Sequence, residues 1–197
     1  MSDFKKSKTA LNLMKAFAGE SQARSRYTYY AKVARKQGFL QIANIFMETA
    51  ENELEHAKVF YKKLIEHGME GETITLNDAA YPVALSQDTF INLEYAAGGE
   101  HEEWTELYPN FAKIAEEEGY HDVATAFKLI AKVEEKHEIR YSKLAQNVKE
   151  HKVFKKDGKV YWKCLNCGFV TENIEAPEEC PACKHPRAYF EVWMENY

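Results

Sequence analysis

Two short motifs of identical form, Glu53-x-x-His56 and Glu134-x-x-His137, constrain this chain more than any other feature. Residues three apart on a helix point the same way. A Glu in helical phase with apolar residues lies ahead of each motif. Glu20 precedes Glu53 by 33 positions and Glu100 precedes Glu134 by 34. The pattern reads as one two-helix unit used twice, with ionisable groups where a core belongs.

The apolar periodicity around these residues predicts four helices. The first, over about 7–37, carries Leu13, Phe17, Glu20, Arg24, Tyr27, Ala31 and Ala34 at steps of three and four. The second, about 39–67, carries Ile42, Ile45, Thr49, Glu53, His56, Phe60 and Leu64. The third, about 88–118, carries Phe90, Leu93, Ala97, Glu100, Glu103, Leu107, Phe111 and Ile114, with a kink expected at Pro109. The fourth, about 120–147, carries Val123, Phe127, Ile130, Glu134, His137, Tyr141 and Leu144. Residues 69–87 lack the period and read as a long connection. At ~3.3 Å per residue they can run the length of a helix, as in a bundle with a long crossover.

Five glutamates and two histidines on inward faces raise an electrostatic problem. Removing a carboxylate from water costs several kcal/mol, and like charges repel. Bound cations resolve both, and a carboxylate-imidazole set suits iron, manganese or zinc. A lone Glu on a helix is usually solvated, and Glu48, Glu51, Glu55, Glu94, Glu102 and Glu135 are read so. The Glu118/His121 pair spans a helix end at Gly119 and is read as a decoy. A set repeated in phase on all four helices favours metal. Ferritin-like di-iron bundles draw one Glu from each of two helices and Glu-x-x-His from each of the others. By that pattern Glu20 and Glu100 are terminal ligands, Glu53 and Glu134 bridge, and His56 and His137 each supply a nitrogen. Glu103 breaks the repeat, because its first-half counterpart is Ala23. It reads as a spare carboxylate for ligand exchange. Tyr27 and Tyr108 fall near the stripes, either as core aromatics or as hydrogen-bond donors to ligand carboxylates.

Past Lys149 the pattern changes. Val153-Phe154 and Val160-Tyr161-Trp162, about Asp157-Gly158, read as a hairpin, with a last strand at 188–193. Between them stand Cys164-x-x-Cys167 and Cys180-x-x-Cys183, two chelating knuckles typical of a tetrahedral thiolate site for zinc or iron. Such a small unit needs a metal staple. The expected division is a four-helix bundle over 1–148 and a small β-rich metal domain over 149–197. All four cysteines sit in this cluster, which fits a reducing cytoplasm. The net charge of −5 shows no basic surplus for nucleic acid. No apolar run is long enough for a membrane span, and no signal-peptide pattern opens the chain.

The second knuckle, Cys180-Pro181-Ala182-Cys183, resembles rubredoxin, with Lys184 where rubredoxins commonly have Gly. The whole chain resembles rubrerythrin through Gly19-Glu20-Ser21-Gln22-Ala23-Arg24, Glu53-x-x-His56, Gly99-Glu100-His101-x-Glu103, Glu134-x-x-His137 and the knuckles ending Cys183-Lys184-His185-Pro186. The resemblance implies a non-haem di-iron peroxidase acting on hydrogen peroxide in oxidative stress protection. Its cofactors would be two irons at Glu20, Glu53, His56, Glu100, Glu103, Glu134 and His137. A third iron would sit at Cys164, Cys167, Cys180 and Cys183. It implies that His56 and Glu103 exchange as ligands. Electrons would come from NAD(P)H through a rubredoxin reductase flavoprotein, sometimes with a separate rubredoxin, in a head-to-tail homodimer or higher oligomer. Other readings of the same residues are an iron-binding ferroxidase, a dioxygen-reducing di-iron protein, or a metal scaffold with a zinc-ribbon interaction module.

Overall fold

The computed structural model describes residues 3–196. A 3-10 turn at Phe4–Lys6 leads into α1 (Lys8–Lys36) and α2 (Leu40–Glu66). After the crossover come α3 (Thr89–Glu102), a π-helical segment (Glu103–Leu107), α4 (Tyr108–Glu118) and α5 (His121–Lys149). The tail holds β1 (Lys155–Cys164), β2 (Val170–Glu175) and β3 (Phe190–Val192). This is a ferritin-like bundle followed by a small antiparallel sheet of order β2-β1-β3.

Local chemistry sets the helix ends. Ser7 caps α1 by accepting the Ala10 N–H at 3.0 Å, and Asp88 caps α3 by accepting from Phe90 N at 2.7 Å. Gly119, at φ 87°, closes α4 in the left-handed conformation that L side chains resist. Glu118 accepts from Lys8 N, Thr9 N and Thr9 Oγ1 at 3.0, 2.8 and 2.6 Å. It therefore neutralises the exposed donors at the start of α1. His121 instead meets Glu116. The sequence pair read as a decoy is thus a helix cap beside a surface ion pair.

The third helix departs from expectation. A π turn accommodates one extra residue without breaking the rod, so the buried face shifts by one. Tyr108, Ala112 and Ala115 are buried where the unbroken α period expected Leu107, Phe111 and Ile114. Pro109 stands in the first turn of α4, where its missing N–H costs nothing, and the distortion precedes it.

Two apolar layers flank the middle of the bundle. One is built on Leu13, Phe60, Tyr108 and Phe127, the other on Tyr27, Ile42, Phe46, Leu93 and Tyr141. The acidic residues lie between them along the helices. Glu20, Glu53, Glu100 and Glu134 are each at most 1% exposed. In the tail, the expected Asp-Gly hairpin does not form. Lys155–Cys164 is a single strand paired to β2, and its register slips between Lys155↔Glu175 and Val160↔Asn173. Five steps on β1 oppose two on β2, so Asp157-Gly158 lies in an outward bulge. Arg187–Tyr189 forms a 3-10 turn, which shortens the expected last strand to Phe190–Val192.

Candidate metal centres

The four helices bring six of the seven predicted residues into two overlapping groups. Glu20, Glu53, His56 and Glu134 form one, and Glu53, Glu100, Glu134 and His137 the other. Within each group the candidate ligand atoms lie within 4.8 Å of one another. Glu53 and Glu134 belong to both groups and divide their oxygens between them. His56 Nδ1 lies 2.8 Å from Glu53 Oε2 and 2.9 Å from Glu134 Oε1. His137 Nδ1 lies 2.7 Å from Glu134 Oε2 and 3.3 Å from Glu53 Oε1. Glu20 and Glu100 close the outer sides, at 3.9 Å from His56 and 3.8 Å from His137.

Whether these residues fit metal ions is decided by their unsatisfied atoms. Glu20 Oε2, Glu100 Oε2, both oxygens of Glu53 and Glu134, and Nδ1 of both histidines are buried without a hydrogen-bond partner. Their close approaches have ion-pair distances but not hydrogen-bond angles. Each such orphan costs on the order of 1–3 kcal/mol, and two cations would satisfy all of them. The set fits a di-iron centre. The remaining oxygens are held from outside. Tyr27 OH donates to Glu100 Oε1 at 2.6 Å, and Tyr108 OH donates to Glu20 Oε1. Both rings also belong to the apolar layers, so these tyrosines fill the core and donate to ligand-type carboxylates at once.

Charge distribution in the metal-free cluster follows from burial. Burial pushes Glu20 and Glu100 well up, and neighbouring carboxylates push them further. For His56 and His137 burial acts downward. The carboxylates of Glu134 and Glu53 overcome it, raising them to about 10 and about 9. Burial would raise Glu134, but the two histidines lower it. Protons thus do part of the work that cations would do.

Glu103 stands apart. It opens the π segment, is half-buried, and falls in neither group. Burial of its carboxyl, then the charges of Glu134 and Glu53, push it well up. Of the glutamates read as solvated, Glu48, Glu51, Glu55, Glu94 and Glu102 are exposed and Glu135 is half-buried, all outside both groups.

In the tail, Cys164, Cys167, Cys180 and Cys183 converge. Sγ atoms lie 3.7 Å apart in the pairs Cys164/Cys183 and Cys167/Cys180. Ligands at ~2.3 Å around a tetrahedral ion stand ~3.8 Å from one another, far beyond the ~2.05 Å of a disulfide. The sulfurs therefore fit a tetrahedral four-thiolate metal site. The knuckles are built alike. Gly168 N donates to Cys164 O and Lys184 N to Cys180 O, both at 2.9 Å. Gly168 has φ 77° and Lys184 φ 63°. Lys184 thus adopts the left-handed turn that glycine usually fills. The backbone N–H of His185 still reaches Cys183 and pulls its thiol down to about 6.

The chain matches the family model described as Rubrerythrin over residues 12–145 and that described as Rubrerythrin, rubredoxin-like domain, over 162–191. It is 59% identical to a rubrerythrin of Clostridium perfringens and 50% identical to one of Nitratidesulfovibrio vulgaris, each over 197 residues and the full length of both chains. A solved structure of partially reduced nigerythrin superposes with a TM-score of 0.63 at 33% identity, covering 95% of this chain and 90% of that one. A Desulfovibrio desulfuricans bacterioferritin shares the fold at 24% identity, with a TM-score of 0.66 over 76% of this chain and 85% of its own.

Proposed function

This chain belongs to the rubrerythrin family, and on that premise we propose that it is a non-haem di-iron peroxidase that reduces hydrogen peroxide to water in oxidative stress protection. One observation carries the reading: two buried ligand groups sharing Glu53 and Glu134 share a chain with four sulfurs at tetrahedral spacing. Two irons in the bundle would supply one electron each, so peroxide, two electrons and two protons give two waters without a released radical. The four-thiolate iron would supply those electrons singly.

In this reading residues 1–148 form the di-iron domain and 149–197 the rubredoxin-like domain. Glu20 and Glu100 are terminal ligands, Glu53 and Glu134 bridge, and His137 is the fixed imidazole. His56 and Glu103 alternate as ligands. The His56 side of that exchange is supported by the arrangement observed, in which Glu103 lies outside both groups. Tyr27 and Tyr108 hold the outer carboxylates in orientation, and Cys164, Cys167, Cys180 and Cys183 bind the third iron.

Electrons come from NAD(P)H through a rubredoxin reductase flavoprotein, with or without a separate rubredoxin. A head-to-tail dimer is supported by where the tail docks. The Phe154 ring stacks on Phe39 at 6.1 Å, at the turn between α1 and α2. Phe39 and Glu53 are fourteen residues apart, ~21 Å along the helix axis. That is a long step for an electron within one chain, and a second copy can shorten it. Among the described residues no helix is long and apolar enough to cross a membrane, and the free cysteines suit a cytoplasmic location.

Steady-state consumption of hydrogen peroxide by iron-replete protein with its reductant tests the function. Cys183→Ala should abolish this turnover, while a chemically reduced di-iron site still reacts once with peroxide in stopped flow. Iron-replete protein that consumes dioxygen faster than peroxide, or consumes neither, refutes the reading.

A further inference from the structure

Beside the acidic layer lies a cavity of ≈ 230 Å³. Its inner end is formed by Glu103 and Tyr108, whose hydroxyl holds Glu20. Its outer wall is the crossover segment at 78–82. Phe111, Leu107 and Ala79 help make the lining mainly apolar. The crossover is fastened over this space. Tyr81 OH donates to Lys15 O at 3.0 Å, and Lys15 Nζ meets Asp78 at 2.8 Å. The Tyr81 ring lies 3.8 Å from where a Cβ on Gly19 would stand, an ordinary packing distance, so the strap lies directly over the residue before Glu20.

The size and lining of this space select an occupant. A buried water needs roughly 10–15 Å³ by this measure. Hydrogen peroxide, with two heavy atoms, would fill a minor part and make no use of an apolar wall. A ligand matched to the whole space has a polar head for the inner end and a compact apolar body behind it. We propose that the cavity seats the alkyl group of a small alkyl hydroperoxide, with its O–OH head at Glu103 and Tyr108 and with Tyr81 setting the size limit. This rests on the peroxidase reading above. The O–O bond breaks and each oxygen gains one proton. Two electrons from the reduced centre, refilled from NAD(P)H, complete the conversion of ROOH to ROH and water.

The test compares tert-butyl and cumene hydroperoxide with hydrogen peroxide on iron-loaded, full-length protein. Ala79→Phe fills the cavity from the strap, and Tyr81→Ala widens it. The ratio of kcat/KM for tert-butyl hydroperoxide to that for hydrogen peroxide should fall at least about tenfold in Ala79→Phe, the scale on which apolar pockets discriminate. The ratio for cumene over tert-butyl hydroperoxide should rise in Tyr81→Ala. Independently of turnover, crystals of the iron-loaded protein soaked in tert-butanol should show it between Ala79 and Phe111, and Ala79→Phe crystals should not. Hydrogen peroxide turnover with both ratios unmoved, or with the cavity empty after soaking, overturns this inference and leaves the peroxidase reading standing. Failure to consume any peroxide overturns both.

Discussion

Raising the pH of metal-free protein should weaken the bundle. The carboxylates of Glu53 and Glu134 hold His56 and His137 protonated up to about 10 and about 9, against ~6.5 in an unfolded chain. A raised folded value means that this stabilisation is complete below the unfolded value and is lost as pH climbs toward the folded one. Glu20, Glu100 and Glu103 act in the same direction. They keep protons that an unfolded chain releases above ~4.3. Each retained proton contributes at most ~1.4 kcal/mol per pH unit, so two independent histidines would lose ~5 kcal/mol between pH 7 and 9. They share two carboxylates and do not add fully. We take about half, ~3 kcal/mol, which lowers Tm by ~6–12 °C in a domain of this size. Helical circular dichroism during heating at pH 6, 7, 8 and 9, on chelator-stripped and iron-loaded protein, measures it. The loaded protein should not show the fall, because its ligands are already deprotonated and metal affinity rises with pH. A metal-free Tm that is flat or rises from pH 7 to 9 would mean the histidines are neutral in the folded cluster, and the charge balance drawn for it would be wrong.

Four further outcomes are expected. Glu134→Ala removes an oxygen pair shared by both groups, so iron analysis should show loss of di-iron occupancy while the visible spectrum keeps the four-thiolate iron; unchanged stoichiometry refutes it. Glu118→Gln should cost about 1 kcal/mol at pH 7 in thermal unfolding. Glu118 is held below its ordinary range, chiefly by Thr9 and Lys8 donors working against burial, so its stabilisation is present above the unfolded value. Variant and wild type should converge as pH falls through the lower folded value. Lys184→Gly should relieve a left-handed side chain and gain up to about 1 kcal/mol, read as slower iron release from the tail in urea. Gly168→Ala should do the reverse, because its φ of 77° is the only obstacle to a Cβ there.

Much of this was legible because burial imposes periodicity. Glu20, Glu53, Glu134 and His137 fall in step with Leu13, Phe60, Phe127 and Tyr141, and all are buried. Periodicity could not register the π turn, because one inserted residue leaves composition unchanged and only moves the phase. That is why Leu107 was expected inward and Tyr108 is found there. Asp157-Gly158 carried a hairpin signal, but pairing of Val160–Lys163 with Val170–Asn173 outcompeted a local turn. Neither Tyr81 nor Glu118 acts through a neighbour in sequence. The contacts of Tyr81 with Lys15 and Gly19, and of Glu118 with Thr9, exist only after distant helices have docked.

The two ligand groups also divide unevenly between the halves of the chain. One takes Glu20, Glu53 and His56 from α1 and α2 and only Glu134 from beyond the crossover; the other takes Glu53 from the first half and Glu100, Glu134 and His137 from the second. Each hairpin alone therefore offers three donors and lacks the fourth. A ribosome-bound chain that has completed only α1 and α2 holds no finished pocket for iron. Neither ligand group is complete until both hairpins have docked, so closing the bundle and assembling the two pockets are one event.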